Sequence, residues 1–288
     1  MIESMPSRRL ALLLLTLAVS ALTIHAAPPA PNLDPQDDTS TRALVSAASR
    51  YVTKYQQEFA FLIADESYSQ TRTDAGGNTQ NRVLKSEFFL TYLPADNEWV
   101  AVRDVLDVDG APVANREELR TLLAKGGEIR GLISQVIARN ARYNIGSTTR
   151  NFNEPTLALL LVGEKRVNEV KFDRRGVGHD GTATLATLAF EERGRPTLVR
   201  GPEGSLAAKG EIILEPGTGI VRKTTFELDR PGVKVRLMTT YAREPKLGLW
   251  LPDVFTERYE SESPISEVVM CEAKYTNYRR FEVTGRIK

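Results

Sequence analysis

The chain has 288 residues, with 38 Lys or Arg against 37 Asp or Glu and a net charge of +1. So even a balance, with the signs interspersed, excludes a basic stripe for nucleic acid and a polybasic patch for a membrane surface. Its one cysteine, Cys271, excludes an internal disulfide, so the fold must rest on its core alone, which a chain of this length supports.

The N-terminus carries a basic pair, Arg8 and Arg9, then the apolar run Leu10 to Ile24, then Ala26 and Ala27 and the Pro-rich stretch PPAPNLDPQ. The run is shorter than the ~20 residues of a membrane span. Residues 1–26 therefore read as a secretory signal peptide, and residues 27–41 as a flexible leader. Export to the periplasm or beyond follows, with no transmembrane segment once the signal is removed. Loss of Arg8, Arg9 and Glu3 leaves 36 charges of each sign (38 − 2 and 37 − 1).

Residues 42–288 read as a single α+β domain. Leu44, Ala48, Tyr51 or Val52, Tyr55, Phe59 and Leu62 recur at helical spacing, which predicts an amphipathic helix of about six turns. A hairpin follows, Ile63 to Arg72 and Asn81 to Leu93, turning at Asp74–Asn78. Glu98 to Val108 alternates as a third strand. The period then changes. Residues 111–162 hold two or three short helices, near Asn115–Leu123 and Glu128–Ala141, with PTLALLLV (Pro155–Val162) helical or extended. Strands resume at Arg166–Asp173, Thr182–Glu191 and Thr197–Arg200. From Lys209 to Phe281 five strand runs are punctuated by Glu215-Pro216-Gly217, Arg230-Pro231-Gly232, Glu244-Pro245-Lys246 and Ser263-Pro264. Strands in hairpin order predict an antiparallel sheet, with helices covering one face.

Chemistry-bearing motifs are few. Gly176, Gly178 and Gly181 spell G-x-G-x-x-G, but the flanks are charged and threonine-rich, so a hairpin loop is expected rather than a dinucleotide site. His179, in that loop, is the one histidine outside the signal, and no G-x-S-x-G is present to supply a nucleophile. Cys271 lies mid-strand among apolar residues and reads as an inert buried thiol. Asp104, Asp107 and Asp109 have only a hint of Ca²⁺-loop spacing. Asp65-Glu66 and Glu191-Glu192 alternate across a strand and read as solvent-facing charges. No catalytic residue, metal site or cofactor is assigned, and the chain reads as non-enzymatic.

The late residues carry a resemblance. Gly210-Glu-Ile-Ile-Leu-Glu-Pro216-Gly-Thr-Gly-Ile220 is similar to a strand-turn-strand pattern of the bacterial outer-membrane lipoprotein carrier (Lol-type) superfamily. The Leu249-Trp250-Leu251-Pro252 segment and the Tyr275 to Phe281 ending resemble secreted bacterial proteins with this kind of sheet. The resemblance implies a strongly curved antiparallel sheet, an incomplete β-barrel, with the N-terminal helix and the 111–162 insertion covering its concave side.

Within that frame the expected function is binding of a hydrophobic ligand, a lipid or acyl chain, in envelope lipid or lipoprotein traffic. The expected lining is Phe88, Leu90, Tyr92, Val102, Leu132, Ile133, Val136, Phe226, Leu237 and Tyr241. The competing expectation is a periplasmic interaction or sensor module with a filled core and an envelope protein partner.

Overall fold

The computed structural model describes residues 39–59, 61–124, 129–147, 150, 154–201, 204–230, 232–262 and 265–281. The expected signal peptide and nearly all of the leader lie outside the described residues. The compact unit to which the described residues belong runs from Pro35 to Lys288. Helix α1 spans Thr41–Glu58 and is capped by Ser40, whose hydroxyl accepts from the Ala43 amide at 3.1 Å. It ends sooner than its periodicity predicts, because Phe59 leaves the helical region and the chain turns into strand by Leu62.

The strands are β1 Leu62–Asp74, β2 Thr79–Leu93, β3 Glu98–Val108, β4 Ala111–Pro112, β5 Val170–Asp180 and β6 Ala183–Glu192. Then come β7 Val199–Gly201, β8 Gly204–Leu206, β9 Lys209–Leu214, β10 Val221–Arg230, β11 Val233–Glu244, β12 Leu249–Ser261 and β13 Glu267–Arg280. Three short helices lie in the insertion: α2 Leu119–Ala124, α3 Ile129–Asn140 and α4 Leu159–Val162.

Eleven strands form one antiparallel sheet in the order β4-β3-β2-β1-β13-β12-β11-β10-β9-β6-β5. The first hairpin thus docks on the last strand, Leu62 opposite Arg280 through Asp74 opposite Glu267. The two edge strands, β4 and β5, do not pair with each other, so the barrel stays incomplete. Register shifts interrupt five of the ladders, β1·β13, β2·β3, β5·β6, β9·β10 and β11·β12. Each such irregularity bends and further twists its strand, which curves the sheet.

Strand alternation gives the sheet two unlike faces. The inner face holds the main core: Leu44, Ala48 and Val52 of α1 and the four residues of α4 against Phe88, Leu90, Leu188, Phe226, Leu237 and Phe255. The outer face carries a smaller cluster of Ile63, Phe89 and Val102 under Leu119, Ile133 and Val136. The insertion therefore divides between the faces. Helix α4 covers the inner face, whereas α2 and α3 pack on the outer one, unlike the expectation that the whole insertion covers the concave side. Parity is the reason: Phe89 and Val102 point away from Phe88 and Ala101. An ionic clasp fixes α2 and α3. The buried Asp104 carboxylate accepts from Arg116 at 2.9 Å, Arg139 at 3.1 Å and the Leu119 amide at 2.9 Å. Glu87 accepts from Arg120 and Arg279.

Candidate functional site

Two features of the inner face stand apart from ordinary packing. The first is a buried polar network on β1, β3, β12 and β13. Ala64, Glu66, Tyr68 and Gln70 share the inward parity of β1. Glu66 is paired by the Arg103 guanidinium, which also lies 3.6 Å from the Tyr68 ring centroid. Tyr68 donates to Glu257 at 2.9 Å, and Tyr259 donates to its other oxygen. Arg150 completes the set. It donates to the Cys271 sulfur at 2.7 Å, to the Gln70 side-chain oxygen at 2.6 Å and to the Ile145 carbonyl at 2.8 Å.

Burial raises the Glu257 carboxyl above its ordinary range, against the pull of Arg103, Tyr259, Arg150 and Tyr68. Burial, with Glu257 nearby, also pushes the Cys271 thiol up to about 11. A buried, protonated thiol is a poor nucleophile. Internal partners meet most of the network's polar atoms, the buried Arg150 Nε excepted, and through Gln70 it holds Tyr143, Ile145 and Arg150 against the sheet.

The second feature is a groove of about 580 Å³ between α1 and two turns at one end of the inner face. Tyr51, Tyr55, Ile220, Leu249 and Trp250 give it an apolar lining; Arg50, Lys54, Glu58 and Arg243 add charge. The elements place these side chains for simple reasons. Positions 50, 51, 54, 55 and 58 fall on one stripe of α1. The turn after β9 reaches that helix because Gly219, at φ +73°, has no Cβ; one there would overlap the Ala47 carbonyl. The turn at Pro245–Gly248 brings Leu249 and Trp250 to the opposite wall. Tyr51 stacks on Tyr55 at 5.7 Å, and Tyr55 in turn meets the buried Trp99 at 5.8 Å, so the lining runs into the core. The Tyr55 hydroxyl is buried without a hydrogen-bond partner.

The ten residues expected to line a pocket do not gather in one. Phe88, Leu90, Tyr92, Phe226, Leu237 and Tyr241 are packed together in the main core, each at most 8% exposed. Val102, Ile133 and Val136 belong to the outer-face cluster, and Leu132 is half-buried on α3. None of the ten lines the groove. The groove had a sequence signal all the same. Arg50 and Lys54 sit beside Tyr51 and Tyr55 at the same four-residue interval, an aromatic stripe flanked by cations.

The remaining motifs resolve structurally. Gly176 and Gly178 lie in β5, and Gly181 makes the turn of the β5–β6 hairpin, with Asp180 opposite Ala183. His179 is exposed there, six strands from the buried Cys271. Asp107 and Asp109 accept from the Gly110 and Val83 amides. Asp65 and Glu66 do face opposite sides, but Glu66 is buried rather than solvated, and so is Glu192, which accepts from Arg166 and the Leu198 amide. These two glutamates survive at inward positions because each has a cation or amide aimed at it.

The fold defines an α+β protein built on an open, curved antiparallel sheet. No family model and no curated protein sequence matches the chain. Among solved structures it is similar to a DUF1329 family protein from Desulfovibrio piger, at 12% identity and TM-score 0.36, over 85% of this chain and 95% of that one. It is similar to a putative outer membrane lipoprotein-sorting protein domain from Vibrio parahaemolyticus, at 10% identity and TM-score 0.35, over 82% and 92%. A LolA superfamily protein from Nitrosomonas europaea matches at 8% identity and TM-score 0.33, over 84% and 94%. Among the described residues no helix is long and apolar enough to cross a membrane.

Proposed function

We propose that this protein is an exported, non-enzymatic binding protein that holds the apolar chain of a lipid-like ligand at the rim of its curved sheet and works in envelope lipid or lipoprotein traffic. The observation that carries the reading is the groove between α1, Ile220 and Trp250. Its volume, about 580 Å³, falls within the ~300–1,000 Å³ of small-molecule sites. The centre of the concavity is packed with side chains, so the ligand sits at the rim, against Tyr51 and Trp250. Binding would come from apolar area removed from water, ~25 cal/mol per Å² before association costs.

Mass spectrometry of protein purified under native conditions tests this. The expected result is a co-purifying acyl species, lost when Tyr51 and Trp250 are replaced by Ser. Protein that carries no such species and takes up none from a supplied lipid extract overturns the reading. The filled main core favours a second reading, an interaction module that works through exposed β5, where Val177 and His179 face solvent. Recovery of one stoichiometric envelope protein without lipid would favour that alternative.

A further inference from the structure

Two of the cations that line the groove have no carboxylate partner among the described residues. Arg50 stands on α1 and Arg243 at the end of β11, so each wall carries a guanidinium. Arg50 donates to the Ser46 hydroxyl at 2.6 Å, and among the described residues neither arginine has a carboxylate at salt-bridge distance. Lys54 reaches Glu58 at 3.6 Å with both side chains more than half exposed, a weak pairing. Glu58 is the one acid among the lining residues. A second acid near the rim, Glu215, is engaged by Arg222 at 3.0 Å, while that guanidinium lies 4.2 Å from the Trp250 ring centroid. Below this rim the buried Tyr55 hydroxyl is a donor without an acceptor.

We propose that the groove selects single-chain amphiphiles whose head group is an anion, a carboxylate or a phosphate. The proposal rests on the reading that the groove takes an apolar chain, and it names the head that chain carries. Two unpaired guanidinium forks on facing walls match the planar, multi-oxygen geometry of such heads. The aromatic lining then takes the first part of the tail.

Calorimetric titration of the intact protein at pH 8 tests it, with dodecanoate, dodecyl phosphate and dodecyl maltoside below their micelle concentrations, and with inorganic phosphate. One or both anionic amphiphiles should bind about tenfold or more tightly than the maltoside, and rising salt should erode that margin. Which of the two binds tighter separates a carboxylate head from a phosphate one. Replacing Arg50 and Arg243 by Gln should bring all three amphiphiles to within about twofold of one another. Equal affinity for maltoside and anions in the unaltered protein overturns the head-group assignment and leaves the groove as a chain site. Inorganic phosphate binding as tightly as dodecyl phosphate overturns it in favour of a free-anion site. Binding of none of the four overturns the chain reading and this inference together.

Discussion

Glu66 and Arg103 are fully inside the protein, and each is there only because of the other. Removing one partner of such a pair leaves a buried uncompensated charge, so Arg103→Met should cost about 3–5 kcal/mol in urea unfolding. The double variant Glu66→Leu/Arg103→Met should recover most of that loss, since an apolar pair of similar volume is often as stable. Glu154, beside the Pro155 carbonyl that accepts from Thr239 and Tyr241, is pushed up to about 8 by burial and by Glu98. Its folded value lies above its unfolded one, so the folded protein holds the extra proton between them. Its contribution to stability should therefore be full below about pH 4.5 and be lost as pH rises through 8. Glu257 acts in the same direction. Unfolding measured from pH 5 to pH 9 checks this, and Glu154→Gln should flatten the decline. At this scale the sequence was least legible. Glu66 reads from the sequence as solvent-facing, and nothing local shows that an arginine thirty-seven residues away meets it, or that a tyrosine–glutamate pair on β12 meets Tyr68.

Helix α1 and the turn after β9 meet at a contact that only glycine permits. Gly219→Ala adds a Cβ against the Ala47 carbonyl at a positive φ and should destabilise the protein by about 1–3 kcal/mol. It should also widen the groove, so ligand affinity should fall in the same variant even where it remains folded. Losing the Ser40 cap by Ser40→Ala should cost about 1 kcal/mol without that loss of affinity, because the cap is at the other end of the helix. Thermal unfolding paired with a binding assay separates the two. Elements were well legible. The third strand has the bounds Glu98–Val108 that its alternation predicts, and the five strands of the closing meander fall between the predicted turns. The helices of the insertion were legible as helices but not as to face. Their apolar stripes are compatible with either side of the sheet, and the choice is made by Asp104 and Glu87, whose arginine partners bind α2 and α3 to the outer face.

The whole molecule joins its first strands to its last, and the meander from Lys209 to Arg280 becomes the middle of the sheet rather than one end of it. That long-range pairing leaves β4 and β5 as edges and the inner face open at the α1 end. The place of the groove follows from this topology, since it needs α1, the turn before β10 and the start of β12 together, and no stretch of sequence holds all three. The protein's two tryptophans report on its two interior regions: Trp99 is sealed in the core, and Trp250 lines the groove. The most direct test is tryptophan fluorescence during titration with a bromine-substituted single-chain fatty acid below its micelle concentration. A chain lying in the groove should quench emission saturably in the unaltered protein and quench Trp250→Phe far less, since Trp99 is shielded behind Tyr55. Equal quenching of Trp250→Phe, or saturable binding with no quenching of the unaltered protein, would place the ligand elsewhere and contradict the account.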